Sequence, residues 1–223
     1  MNFKILVSLI AVGASFNAQA QKAGDWLIQG NITRIAPDVS SGTLSAPFPG
    51  DTQTDVGSDT RVTGQIAYML TDRWSLALPL GTGFKHKLYG AGTGGAGVGQ
   101  IGTVSAMPIT VFGRYHFVSG SGAWRPYAML GLTYARFHDA QGSAALDALN
   151  PANPSGGHTG LSVDSRWALS PGLGVSWVLS DRWFVDAAYS KSLLKTTTTL
   201  STGQKIDTKL DPDVWQFGLG YRF

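Results

Sequence analysis

The sequence predicts an all-β fold: an eight-stranded antiparallel transmembrane β-barrel with short periplasmic turns and long extracellular loops. Three observations predict it. Eight segments alternate large apolar residues with small or polar ones at a period of two, the pattern of strands with one face in an apolar medium. Short and long connections alternate along the chain, which gathers the long ones at one end of a meander. Charged residues fall on the faces opposite the apolar stripes, and aromatic residues collect beside the short turns and termini.

The elements follow in order. Residues 1–20 carry a basic lead ending at Lys4, an apolar run over 5–16 and the tripeptide Ala18-Gln19-Ala20. This is the signature of a cleaved secretory signal peptide, with an apolar part too short to span a bilayer. Removing these 20 residues from 223 leaves 203 in the expected barrel, residues 21–223, and takes one of the 17 basic residues, leaving 16 against 14 acidic. A balance so close to neutral, with no recognition motif beside it, excludes nucleic acid as a partner. The chain has no cysteine, so an exported protein of this kind rests on its hydrogen-bonded framework and apolar burial. Beyond the leader no run of about 18 apolar residues remains, which excludes a helical membrane protein.

The first segment, residues 25–35, sets Trp26, Ile28 and Ile32 against Gln29, Asn31 and Thr33. The second, 61–70, sets Val62, Ile66, Tyr68 and Leu70 against Arg61, Thr63, Gln65 and Met69. The third, 74–82, carries Trp74, Leu76, Leu78 and Leu80 opposite Ser75, Ala77, Pro79 and Gly81. In the fourth, 107–117, the stripe is Ile109, Val111, Tyr115 and Phe117, facing away from Thr110, Arg114 and His116. The fifth, 125–137, is less regular, with Ala128, Leu130, Leu132 and Tyr134 as its apolar face. The sixth, 166–179, opposes Trp167, Leu169, Leu173, Val175, Trp177 and Leu179 to Arg166, Ser170, Gly172, Gly174 and Ser176. The seventh, 183–193, opposes Val185, Ala187 and Tyr189 to Asp186, Ala188 and Ser190. The eighth closes the chain with Trp215, Phe217, Leu219, Tyr221 and Phe223.

Thr71-Asp72-Arg73 and Ser180-Asp181-Arg182 are near copies, each followed by Trp, and read as tight hairpin turns whose Asp and Ser bond their own backbone. A Ser-Gly-Ser-Gly stretch joins segments four and five. The remaining connections, 36–60, 83–106, 138–165 and 196–211, are expected to be long loops.

Eight antiparallel strands close into a barrel that leaves no edge, and the sign of the outer face decides the solvent. The same stripes would also suit the core of a soluble sandwich or lipocalin-like barrel. Two features favour lipid outside. Arg61, Gln65, Arg114, His116, Arg166, Asp186 and Arg222 lie opposite the stripes among small residues that fit a narrow lumen. Trp26, Trp74, Trp183, Tyr115, Phe117, Tyr221 and Phe223 cluster at one level, as an interfacial girdle does. The alternating aromatic tail, Trp215, Phe217, Leu219, Tyr221 and Phe223, resembles the signal read by the barrel assembly machinery of bacterial outer membranes.

Phe84-Lys85-His86-Lys87, Arg125-Pro126-Tyr127, Asp181-Arg182-Trp183, Leu210-Asp211-Pro212 and the closing Gly220-Tyr221-Arg222-Phe223 carry a further resemblance. In this order and spacing the chain resembles the outer membrane protein W family, which includes hydrocarbon-uptake relatives. The resemblance implies long loops that extend the barrel wall beyond the membrane. It also implies a mostly apolar internal pocket that takes up small hydrophobic molecules and releases them sideways into the outer leaflet. The stretch 88–102 is richer in glycine than the family pattern.

The inward charges Arg61, Arg114, Asp186, Arg166 and Arg222 are expected to form a buried network that plugs the lower lumen, since an unpaired charge there is costly. A solute then travels only through the upper half, with a side exit. Pro79, Phe84, Met129, Tyr134 and Trp167 are the candidate channel residues; for Trp167 the stripe says lipid while the family resemblance says pocket. His86 between Lys85 and Lys87 reads as a basic rim suited to lipopolysaccharide, or as a solvated loop. Gly92-Thr93-Gly94-Gly95-Ala96-Gly97 matches a dinucleotide fingerprint without its βαβ context. Ser192-Leu193-Leu194-Lys195 matches S-x-x-K without its companion motifs. His86, His116, His138 and His158 have no metal-ligand spacing. No cofactor, metal or catalytic residue is expected. The expected partners are outer-membrane lipid, lipopolysaccharide, small hydrophobic solutes and the assembly machinery. The leading expectation is a passive conduit for apolar compounds; the alternative is a structural or host-interacting barrel that transports nothing.

Overall fold

The computed structural model describes residues 21–95, 97–118, 122–154 and 157–223. The expected leader, 1–20, and most of the Ser-Gly-Ser-Gly connection lie outside these. The chain runs β1 (Trp26–Ala36), β2 (Ser40–Ser41), β3 (Gln53–Val56), β4 (Asp59–Met69), β5 (Trp74–Leu80), β6 (Phe84–Ala91), β7 (Gln100–His116) and β8 (Trp124–Gly142). It continues through α1 (Ala144–Leu149), β9 (Leu161–Val163), β10 (Arg166–Val178), β11 (Trp183–Lys191), β12 (Lys195–Leu200), β13 (Lys205–Lys209) and β14 (Asp213–Arg222).

Eight antiparallel staves close on themselves, with β1 bonded to both β4 and β14, and the ring completed through β5, β7, β8, β10 and β11. Closure pairs the edges that an open sheet would leave bare. The short turns form as their sequences dictate. Leu70 N–H donates to the Trp74 carbonyl at 2.8 Å and Leu179 N–H to that of Trp183 at 2.8 Å, with Thr71 and Ser180 hydroxyls accepting from the same tryptophan amides.

The burial pattern is that of a barrel turned outside in. Ile32, Val62, Leu173 and Phe217 are exposed on the outer wall, Val62 by 80%, whereas Gln29, Gln65, Arg114 and His116 are buried inside. Cross-strand aromatic pairs mark both borders of the apolar belt. At the turn end Trp26 meets Tyr68, Trp74 meets Tyr115, Trp124 meets Trp177 and Trp183 meets Tyr221, at 4.8–5.0 Å between ring centres. At the loop end Tyr134 meets Trp167 and Tyr189 meets Trp215, at 4.9 and 4.6 Å. Trp177 and Trp167 bound the belt on one strand; the intervening length, tilted by about 40°, rises ~25 Å, the height of an apolar belt.

The long connections correct the sequence-based expectation. β7 begins at Gln100 and β8 runs on to Gly142, so the stretches expected as loops at 83–106 and 138–165 are partly strand. A small second sheet, in the order β2-β13-β12-β9, stands over the loop end. Beyond the hydrocarbon the outer face meets water while the inner face is buried, so the alternation inverts, as in β6 with Phe84, His86 and Leu88 buried and Lys85 and Lys87 exposed, while the backbone ladder continues.

Candidate functional site: an apolar cavity above a polar plug

The lower lumen is filled. Leu27, Ala67, Met69, Ala77, Phe112, Met129, Phe184 and Ala188 pack there around Tyr127. Two inward glycines make room: a Cβ on Gly174 would sit 2.3 Å from the Tyr127 ring, and one on Gly220 would sit 2.2 Å from that of Phe184. Across this core runs a chain of polar contacts. Gln65 donates to the Gln29 side-chain oxygen at 2.7 Å and accepts from Arg114 Nη2 at 2.7 Å. The Arg114 guanidinium lies 4.8 Å over the Tyr127 ring, and the Tyr127 hydroxyl donates to Asp186 Oδ1 at 2.9 Å. Ser176 donates to the second Asp186 oxygen at 2.6 Å. Tyr127 thus joins the buried cation to the buried anion by its face and its hydroxyl, which offsets the desolvation of both.

Of the five inward charges expected to form one network, only Arg114 and Asp186 meet in the plug. Arg222 reaches Asp25 at 3.5 Å at the turn end, while Arg61 pairs with Asp59 at 2.8 Å and Arg166 with Asp164 at 2.8 Å at the loop end. They sit at different heights because their strand positions are many residues apart, so a single cluster is geometrically impossible. Sequence reasoning misses Arg125, which is 0% exposed and donates to the Gln21 and Asp72 carbonyls at 3.1 and 2.9 Å, closing the turn-end mouth. Its signal is present: Arg125, Tyr127 and Met129 share the inward parity of β8.

Above the plug lies a belt of hydroxyls. Thr110, Thr133, Ser170 and Ser192 are linked in series at 2.8, 2.7 and 2.7 Å, and Thr33 meets Thr63 at 2.7 Å. Satisfying one another, these groups present mainly methyl and methylene surface upward. Over them opens a cavity of about 260 Å³. Its walls include Pro79, Phe84, Leu88, Val104 and Phe137, and its roof Phe48, Leu146 and Leu200 from the loop-end elements. His86 is buried in the wall rather than on an outer rim, a correction to the sequence-based reading. Its Nδ1–H donates to the Gly57 carbonyl at 2.7 Å; burial, outweighing that bond, holds its imidazole below the usual histidine pKa and therefore neutral.

Of the candidate channel residues, Pro79 and Phe84 line this cavity. Three do not. Met129 packs in the core below, while Tyr134 and Trp167 lie against each other with tilted rings on the outer wall, Trp167 being 65% exposed. That is the side the apolar stripe gives for Trp167, and Tyr134 shares it because the two are direct cross-strand partners. The tail residues Trp215, Phe217, Leu219, Tyr221 and Phe223 all stand on the outer face, where β14 alternates.

The wall itself is interrupted. β5 pairs with β7 only from Trp74 to Ala77, and β6 resumes the pairing at Phe84 with Ala106. Residues 78–83 therefore have no ladder partners on β7, and the pairing of β5 with β4 also stops at Leu80. Pro79 and Pro108 face this gap, each without an N–H to bridge it. The cavity wall includes Leu80, Gly81, Thr82 and Met107, so the cavity lies against this gap.

Comparison with known proteins adds the following. A profile described as the OmpW family matches residues 22–223. The chain is 28% identical over 222 residues to the outer membrane protein W of Vibrio cholerae, covering 97% of each chain. It is 27% identical over 225 residues to the protein of the same name from Escherichia coli, covering 99% of each. Among solved structures, the outer membrane protein OprG of Pseudomonas aeruginosa superposes with a TM-score of 0.81 at 25% identity, over 92% of this chain and 98% of that one.

Proposed function

The chain belongs to the OmpW family and is a barrel of the bacterial outer membrane, and from that premise we propose that it is a passive conduit for small hydrophobic molecules, releasing them sideways into the outer leaflet. The observation that carries this reading is an apolar cavity lined by Leu80, Gly81 and Thr82 at the gap of residues 78–83, where the wall has no ladder to β7. A solute in the cavity has the filled, charged lumen beneath it and hydrocarbon beside it, and the whole path from water into hydrocarbon gains roughly 25 cal/mol for each Å² of apolar surface. The downward path would desolvate nothing useful and would break the Arg114–Tyr127–Asp186 chain. We read the protein as a conduit rather than an enzyme, because the one buried serine–histidine contact, Ser75 with His116 at 3.1 Å, lies in the plug among the described residues, where no carboxylate orients the ring.

The test compares uptake of a labelled apolar solute by cells with and without the chain. Faster uptake with it, and no change for a polar solute of equal size, is expected. Equal apolar uptake in both would leave the structural or adhesive reading standing instead.

A further inference from the structure

Just above the wall gap the outer face changes character. Arg34 on β1 lies opposite Thr60 on β4, and both side chains point outward. On the far side of β4 the Lys85 amide donates to Asp59 Oδ2 at 2.9 Å, which brings the exposed Lys85 next to the Asp59–Thr60 end of β4. Lys87 stands one row higher, its carbonyl bonded by the Gly57 amide at 2.9 Å, next to Ser58, whose hydroxyl accepts from Arg34 Nη2 at 3.3 Å. Arg34, Lys85 and Lys87 are exposed, and none makes an ion pair among the described residues. Asp59 pairs with Arg61 and accepts from the Lys85 backbone amide, and Asp55 accepts from the Val56 amide. Three cations thus span adjacent strands, roughly 10 Å from first to last at ordinary strand spacing.

Two outward rows lower, past the exposed Ile32–Val62 pair, the lipid-facing wall is hollowed. Gly30 and Gly64 are cross-strand partners on the outer face, and a Cβ built on Gly30 meets nothing within 4 Å. Leu219 and Leu80, opposite Gly30 and Gly64 respectively, form the banks of this slot. A phosphate group at the level of Arg34 and Lys85 would place an acyl chain along it.

We infer that Arg34, Lys85 and Lys87 bind the phosphorylated sugar headgroup of an outer-leaflet lipid A, with one acyl chain lying over the Gly30–Gly64 slot beside the wall gap. Charge complementarity selects the occupant: the outer leaflet of this membrane presents phosphate on a multiply acylated glycolipid at the height of these cations, above a belt that accepts its chains. The site stands whether or not a solute passes through the barrel, since its test reads lipid alone.

The experiment is native mass spectrometry of the folded protein in mild detergent, titrated with lipid A. Lys85→Gln with Lys87→Gln should weaken lipid A retention about tenfold or more, while Lys195→Gln with Lys205→Gln, the same charge change on the second sheet, leaves it intact. Lys85→Arg with Lys87→Arg should restore it, and dephosphorylated lipid A should be retained poorly by the unsubstituted chain. The heat-dependent gel shift of folded barrels confirms folding of each variant. Equal retention by both double-glutamine variants, equal retention of dephosphorylated lipid, or full displacement by millimolar inorganic phosphate would each overturn the assignment.

Discussion

Tyr127 shows at the scale of one residue how this lumen tolerates charge. Its ring faces Arg114 and His116, its hydroxyl reaches Asp186, and Gly174 leaves the space it occupies. Tyr127→Phe keeps the packing and removes one donor from a buried carboxylate, which costs about 1–3 kcal/mol. Urea unfolding of the barrel in lipid vesicles should show that loss, and a variant as stable as the parent would mean that Asp186 is served by Ser176 alone. The inward parity of Arg114, Asp186 and Pro79 was legible from alternation with neighbouring apolar residues. The partnership through Tyr127 was not, because it joins strands far apart in sequence, and neither parity nor composition reports height along the lumen. Met129 was misplaced for the same reason: it faces inward as expected but at the level of the plug.

At the scale of the element, the loop-end structure is tied by carboxylates to backbone amides. Asp51 accepts from the Thr93 amide and hydroxyl at 2.8 Å each, and Asp147 from the Thr159 amide at 2.6 Å. These bonds hold both carboxyls below their ordinary pKa. A lowered folded-state pKa contributes stability that is complete above the unfolded value and disappears as pH falls through the folded one. Acidification below about pH 4 should therefore raise amide exchange at Thr93 and Thr159 relative to the β12–β13 ladder, measured by hydrogen exchange with mass readout. Unchanged relative protection would show that these ties do not order the loops. The staves inside hydrocarbon were legible because lipid demands an apolar residue at every second position; β6, β9, β12 and β13 were not, since strands outside the belt face no such demand.

For the whole molecule, closure and orientation follow from one requirement. A chain that crosses hydrocarbon in strands must satisfy every backbone group from its neighbours, and the broad exception among the described residues, 78–83 against β7, lies beside the apolar cavity. The polar plug lies below and the roof of Phe48, Leu146 and Leu200 above, so the proposed sideways release would run through that gap. The absence of cysteine from the sequence makes the gap directly addressable. The decisive measurement is uptake of an apolar solute through the Thr82→Cys variant before and after attachment of a bulky, reducible thiol reagent. Sideways passage predicts that the adduct lowers uptake at least several-fold and that reduction restores it; an unchanged rate with every introduced thiol modified would contradict a lateral route.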